Sequence, residues 1–179
     1  LSAFYFDIRK DTLYCDPKDS KKRQSTIILL NIILNSLLKW FAPILSFTTE
    51  EIFRLLFDKN KSIHLEKFLN FPEIFKNKKL NEKWYELIKI RNICNISIEE
   101  KRASKEIGSS LEADLKIQID KKLKNITENI DFSELCITSK AVITFEEKSK
   151  TSVETNKAKG SKCPVCWKIS EDSCARHAE

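Results

Sequence analysis

The 179-residue sequence contains no methionine, only two glycines and only two histidines. So little glycine excludes a glycine-rich phosphate-binding loop, and no Ser/His/carboxylate constellation is present. Paired carboxylates such as Glu99 and Glu100 are adjacent in sequence, and adjacent side chains on a helix point apart. The sequence therefore predicts no catalytic residue in this chain.

The beginning of the chain lacks the usual features of an N-terminus. It starts at Leu1 within an amphipathic pattern, so we interpret the sequence as an internal piece of a longer protein. No signal peptide or transit sequence is present. The densest apolar run, TIILLNIILNSLLKWF, is interrupted by Asn31, Asn35, Ser36 and Lys39 and is shorter than the roughly 20 residues that span a bilayer. We expect a buried helix, a cytoplasmic location and no membrane partner.

The composition is that of a soluble protein with a core, because 41% of residues are hydrophobic and 32% are charged. The net charge of +6 is compatible with an anionic partner, although many basic proteins bind none. In the cytosol, the six cysteines are expected to be thiols or metal ligands and not disulfides.

Helical patterns dominate the first hundred residues. One long helix is predicted from Ser20, which can cap it, to about Phe41, and another from Asn81 to about Ser104. In LSFTTEEIF, Thr48 and Glu51 stand at the spacing of a capping box, which predicts a helix start there. The predicted fold is mostly α, with a helical bundle over residues 1–108.

The pattern changes after the bundle. ADLKIQI alternates with period two, DKKLKNITENI has helical spacing, and ELCITS and AVITFEE have the composition of strands. These segments predict a small α+β unit over residues 109–147. Residues 148–162 are charged and nearly devoid of large apolar side chains, so they are predicted to be a flexible linker.

The last segment, residues 163–179, concentrates metal-binding side chains. A C-x2-C pair and a C-x2-H pair stand there with seven residues between them. The four residues are Cys163, Cys166, Cys174 and His177. Two such pairs on tight turns hold tetrahedral zinc in knuckles, and four protein ligands make a structural site. Trp167 is expected to cover the metal, and zinc would supply the folding free energy. The alternative is a disordered tail with free cysteines.

Taken in order, these segments resemble the C-terminal part of bacterial isoleucyl-tRNA synthetases. LSAFYFDIRKDTLYC resembles the opening of the class I anticodon-binding bundle, and APILSFTTEEIF the helix junction shared by the isoleucyl, valyl and leucyl enzymes. IRNICNISIEEKRASKEIGSSLEA is similar to the segment that follows in the isoleucyl enzymes, and the tail beginning KCPVCW to their zinc module. The zinc tail argues against the valyl and leucyl enzymes.

The resemblance implies tRNA recognition in an ATP-dependent ligase that attaches isoleucine to its tRNA. ATP and Mg²⁺ would bind in a catalytic core that this sequence lacks. The implied partners are isoleucine tRNA and the N-terminal catalytic and editing domains of the same polypeptide, in a monomer. The candidates for contact with the tRNA backbone are residues of the bundle, Arg91, Arg102 and Lys105. The candidates for contact beside the metal are Trp167 and Arg176.

Two alternatives stay open from the residues alone. His177 stands where the family has a cysteine, so the fourth zinc ligand is either His177 or a cysteine beyond Glu179. The second alternative concerns function, because a knuckle that follows strands and a charged segment also suits a zinc-stabilised protein-interaction module without RNA binding.

Overall fold

The computed structural model describes residues 2–147, 150–174 and 176–177. The chain divides into two compact units. We call Thr12–Lys76 the helical unit, and Leu1–Asp11 together with Asn77–Glu179 the mixed unit. The mixed unit is therefore built from two stretches that are far apart in sequence.

Helix α1, Asp7–Cys15, follows a turn of π-helix at Ser2–Phe6 and runs from the first stretch of the mixed unit into the helical unit. The helical unit continues with α2, Lys21–Phe41, and α3, Ser46–Leu56. Short 3-10 turns follow at Ile63–Leu65 and Glu73–Phe75.

The start of α2 confirms its predicted cap, whereas the start of α3 does not. The hydroxyl of Ser20 accepts from the backbone N–H of Arg23. Helix α3 begins before the predicted capping box, and its cap, Leu45, has no side-chain hydrogen bond. The N–H and the hydroxyl of Thr49 both donate to the Leu45 carbonyl, so the first turn is already closed upstream of Thr48.

The prediction that α2 is buried is wrong for most of its length. Its buried residues are Thr26, Ser36, Leu38 and Lys39, whereas Ile28 is 61% exposed. Its apolar residues surround the helix, and the small core of this unit covers only one side of it. By length and composition α2 could cross a bilayer, a criterion that core helices of soluble proteins also meet.

The mixed unit contains α4, Lys78–Ala103, and a three-stranded sheet. The strands are β1, Ala113–Asp120, β2, Lys140–Glu146, and β3, Ser152–Lys157. Strand β1 lies in the centre, parallel to β2 and antiparallel to β3. Two one-turn helices join β1 to β2, namely α5, Lys124–Thr127, and α6, Phe132–Leu135. A hairpin of β4, Ser161–Lys162, and β5, Ile169–Ser170, completes the unit.

The core of the mixed unit lies between α4 and one face of the sheet. The alternation predicted for β1 is confirmed, because its odd-numbered residues are buried and its even-numbered residues face outward. Leu87, Ile90, Cys94 and Ile98 line the buried face of α4. The first stretch also contributes, since Phe4 and Ile8 pack into this core.

One strand prediction and the linker prediction are wrong in this unit. ELCITS begins with the end of α6, because the Asp131 carboxylate accepts from the backbone N–H groups of Ser133 and Glu134 and so starts a helical turn. Residues 152–157 form β3 and not a flexible linker, because alternate residues, Val153 and Thr155, turn toward the core. The predicted domain boundaries at 108, 147 and 162 stay a prediction. The fold class is confirmed: mostly α, with a small α+β part and a Cys/His cluster at its end.

Candidate metal centre

The four side chains predicted as ligands come together in space. One ligand atom from each lies within 4.8 Å of the others, and the set is Cys163, Cys166, Cys174 and His177. The two cysteines of the first pair are buried, and the other two ligands are half-buried. The imidazole presents Nδ1 to the sulfurs.

The distances within the cluster fit a tetrahedral zinc ion. Zn–S and Zn–N bonds of about 2.3 and 2.0–2.1 Å at tetrahedral angles require separations of about 3.8 Å between sulfurs and about 3.5 Å between sulfur and nitrogen. Cys166 Sγ and Cys174 Sγ are 3.8 Å apart. His177 Nδ1 lies 3.5 Å from Cys163 Sγ and 3.3 Å from Cys174 Sγ. These three separations match a tetrahedral zinc site, and the four donors are of the types that hold this ion.

Tight backbone turns place the first cysteine pair. The Cys163 N–H donates to the Lys168 carbonyl at 2.9 Å, and the Trp167 N–H donates to the Cys163 carbonyl at 3.0 Å. Gly160, at φ +114°, precedes this loop, and a Cβ there would lie 2.0 Å from the Ser170 carbonyl oxygen. Only glycine allows the two strands of the hairpin to approach this closely.

Backbone hydrogen bonds and burial shift the thiol pKa values of the first pair in opposite directions. The backbone N–H of Cys166 donates to Cys163 and, with that of Val165, outweighs burial and lowers the Cys163 pKa to about 6. Burial raises the pKa of Cys166 to about 11. Backbone N–H groups directed at one sulfur stabilise the thiolate form, which is the form that binds a metal.

The cluster is attached to the rest of the mixed unit by polar contacts. Ser139 on the loop before β2 accepts from the Ile169 N–H at 2.6 Å, and its own hydroxyl donates to the Leu111 carbonyl. Arg176, beside His177, forms an ion pair with Asp11 at 2.6 Å. Arg176 is thus held against the first stretch of the mixed unit.

The predicted tRNA contacts are not gathered in one place. Arg91 on α4 is half-buried, its Nε donates to the Leu135 carbonyl at 2.9 Å, and its guanidinium lies 5.3 Å from the centre of the Phe4 ring. It therefore holds α4, α6 and the first stretch together. The contact of Arg91 with RNA stays a prediction. It would have to be made by the guanidinium N–H groups other than that of Nε.

Arg102 and Lys105 lie at the exposed C-terminal end of α4. Arg102 pairs with Glu99 at 2.7 Å, one turn earlier. Lys105 is exposed and adopts φ +61°, which ends the helix with a left-handed residue. Both side chains are accessible to an anionic partner.

Trp167 covers the cluster less than predicted, because 58% of the residue is exposed. The Lys162 ammonium lies 5.0 Å from the centre of its ring. Trp167 also has φ +64°, a left-handed conformation that costs a bulky residue on the order of 1 kcal/mol or more. Because more than half of Trp167 is exposed, it is accessible to a partner.

Sequence reasoning missed Ser139, Asp11 and Lys162, which support the site. Asp11 is separated from Arg176 by 165 positions, so no local pattern could have linked them. Lys162 stands five positions before Trp167, and the hairpin brings the two side chains together.

The chain is similar in sequence to known tRNA ligases. A family model described as the anticodon-binding domain of tRNA ligase matches residues 1–119. The chain is 62% identical, over its full 179 residues, to the isoleucine–tRNA ligase of Pelagibacter ubique. Over 96% of its length it is 39% identical to the isoleucine–tRNA ligases of Bartonella henselae and Agrobacterium fabrum. It spans about one fifth of the length of these curated relatives.

Proposed function

Because the chain belongs to the anticodon-binding domain family of tRNA ligases, we propose that it binds tRNA on the anticodon side for an isoleucine–tRNA ligase. The observation that carries this proposal is the family match over residues 1–119, joined to 62% identity with a relative of that name across the chain. The finer parts of the proposal are the specificity for isoleucine tRNA, a cytoplasmic location and a monomeric state.

The chemistry of the ligase belongs to parts of the polypeptide outside these residues. The relatives are about five times as long as this chain. Adenylate formation, with ATP and Mg²⁺, and editing would take place in those additional domains. This chain would hold the anticodon end of the tRNA while the acceptor end reacts elsewhere.

The cluster of three cysteines and one histidine would hold a structural Zn²⁺. All four coordination positions would be taken by protein, so none is left for a substrate or an activated water. The ion would fix the loop that carries Trp167 and the segment that carries Arg176. Its role in RNA binding is to position these side chains.

Exposed side chains at two places support RNA contact. Arg102 and Lys105, at the end of α4, would contact phosphates. Trp167 would offer its accessible ring to an unpaired base, since loop bases of RNA stack on aromatic side chains. The Lys162 ammonium beside the ring would add attraction for the neighbouring phosphate.

Exposed apolar side chains of the helical unit support packing against the remaining domains of the same polypeptide. Ile28 and Trp40 on α2 and Phe47 on α3 are 61%, 55% and 92% exposed. Contacts between domains bury apolar side chains of this kind. The additional length of the relatives makes a domain of the same chain the occupant that we propose.

Direct binding to isoleucine tRNA and to an unrelated tRNA, at two salt concentrations, tests the proposal. The complete natural polypeptide should prefer isoleucine tRNA, with affinity that falls as salt rises. Trp167→Ala should weaken binding about 10-fold, the low end of base–aromatic stacking. Tyr85→Ala is the matched control, because Tyr85 is also exposed and carries the Lys89 ammonium at 4.2 Å. Failure to bind either tRNA would favour the protein-interaction module instead.

A further inference from the structure

A second concave site lies in the mixed unit, beside the hairpin that carries the Cys/His cluster. It is a cleft of about 670 Å³ between the outward face of the sheet and the β4–β5 hairpin. This volume lies in the range of small-ligand sites. The charged residues that carry the argument are Asp114, Lys140, Lys157, Lys159, Glu171 and Asp172.

The register of the sheet directs Asp114 toward this cleft. Asp114 lies on the central strand between the buried residues Ala113 and Leu115, so its side chain leaves the opposite face. Its partners across the sheet are Lys140 on β2 and Asn156 on β3. Paired residues in a sheet project from the same face, so these three side chains border the cleft together.

Among the charged residues that line the cleft, Lys116 and Glu154 pair with each other at 3.7 Å, whereas the six named above do not neutralise one another by contact. In the part of the chain that the structure describes, none of the three lysines and none of Asp114, Glu171 and Asp172 forms an ion pair. The Oδ1 atom of Asp114 is inaccessible to solvent and accepts no hydrogen bond. Burial raises the pKa of Asp114, Lys140 opposes the rise, and Glu171 adds to it. A buried acceptor without a donor is costly, and a ligand that donates a hydrogen bond to Asp114 would reduce that cost.

The mixture of charges restricts the ligand. A metal cation would be bound by the carboxylates but repelled by the lysines. A simple anion would be attracted by the lysines but repelled by the carboxylates. A nucleotide suits both sets, because its phosphate is anionic and its base edge carries N–H donors. Carboxylates accept from base amino groups in known recognition pairs.

We propose that this cleft binds one unpaired nucleotide of the tRNA, whose base donates an amino N–H to Asp114 and whose phosphate faces Lys157 and Lys159. The inference rests on the proposed function and adds to it a position at which a base is read. Bases with an exocyclic amino group fit, namely cytosine, adenine and guanine. Uracil lacks this group and should bind more weakly.

The test is a set of isoleucine tRNA transcripts in which each unpaired anticodon-loop nucleotide is made abasic in turn. Binding is measured for the complete natural polypeptide and for its Asp114→Asn variant. One abasic position should weaken binding to the unchanged protein about 10-fold and weaken binding to the variant clearly less, because the neutral amide oxygen of Asn accepts a weaker hydrogen bond than the carboxylate. Glu128→Gln, an exposed carboxylate outside the cleft, is the charge-matched control.

A second variant guards against a folding defect in Asp114→Asn. Lys157→Ala with Lys159→Ala changes only exposed side chains and should reduce the salt dependence of binding by about one phosphate contact, whereas Lys122→Ala should not. If all abasic penalties persist in Asp114→Asn and the double lysine variant keeps the full salt dependence, the cleft does not bind a nucleotide. If the unchanged protein binds no tRNA, the proposed function fails together with this inference.

Discussion

At the scale of single residues, the metal cluster depends on sulfur ligands that no other side chain in the loop replaces. Cys163→Ser together with Cys166→Ser should remove bound zinc, which elemental analysis should find at one ion per unchanged chain. The physical reason is that hydroxyl groups do not ionise at neutral pH and are poor zinc ligands. The matched control is Cys15→Ser, since Cys15 stands outside the cluster. Equal zinc in the double variant would show that these residues do not bind the ion.

Gly160 is the residue whose replacement should disturb the hairpin most directly. Its φ of +114° and the 2.0 Å approach to the Ser170 carbonyl leave no room for a Cβ. Gly160→Ala should destabilise the hairpin by more than about 1 kcal/mol and accelerate zinc loss to a chelator. Gly108→Ala is the control, because its Cβ would meet Glu112 Oε1 at an ordinary 3.4 Å. Equal rates of zinc loss in the two variants would contradict this account.

The Cys/His cluster is the part of the site that the sequence predicts best. A C-x2-C pair and a C-x2-H pair bring their own spacing, and the structure brings Cys163, Cys166, Cys174 and His177 together, while their binding of zinc stays a prediction. The cleft residue Asp114 could not be found in this way. Its importance comes from partners on β2 and β5, whose positions are set by strand pairing and not by local sequence.

At the scale of elements, Glu50 links α3 to the following turn. Its carboxylate accepts from the Ile63 N–H at 2.9 Å and from the Ser62 hydroxyl at 3.0 Å, and it pairs with Arg54 at 2.7 Å. Burial raises its pKa, but these hydrogen bonds and Arg54 outweigh burial, so the pKa lies below its ordinary value of 4.5. The folded state therefore binds this proton more weakly than the unfolded state.

The sign of the pH effect follows from that depressed pKa. The stabilisation by Glu50 is complete above pH 4.5 and is lost as pH falls through the lower, folded-state pKa. Hydrogen exchange at the Ile63 amide, corrected for intrinsic rates, should lose protection in that acid range. Glu50→Gln should remove most of this pH dependence. The Thr49 amide, bonded to the Leu45 carbonyl within α3, serves as the internal control.

Element types were predicted well where periodicity was strong and poorly where one polar residue decided the outcome. The alternation of β1 was read correctly because every second residue enters the core. The apolar residues of ELCITS predict a strand, but the cap at Asp131 starts the helical turn α6 just before them. The charged residues of 152–157 predict a linker, but they face outward from β3, while Val153 and Thr155 turn inward.

At the scale of the whole molecule, the first stretch completes a core that is otherwise built from residues after 76. The Phe4 ring packs edge-on against Trp84, with centres 6.2 Å apart, and lies beneath the Arg91 guanidinium. Phe4→Ala should lower the free energy of unfolding of the mixed unit by about 2 kcal/mol, less than a fully buried phenylalanine because Phe4 is half-buried.

Hydrogen exchange at the Leu115 and Ile117 amides of the central strand would measure this loss. Tyr14→Ala, which removes an aromatic residue that is 83% exposed, should leave those amides unchanged. Unchanged protection in Phe4→Ala would mean that the first stretch adds nothing to the core.

The discontinuity of the mixed unit has a consequence for synthesis on the ribosome. Arg9 pairs with Glu134, which is 125 residues later, so the contact cannot form until that residue has been translated. At a synthesis rate of about 5–20 residues per second, roughly 6–25 s pass between the translation of Arg9 and that of Glu134. During that interval the whole helical unit emerges, while Phe4 and Ile8 remain without the residues that cover them. A nascent chain stalled before residue 134 would therefore expose this segment to chaperones and proteases.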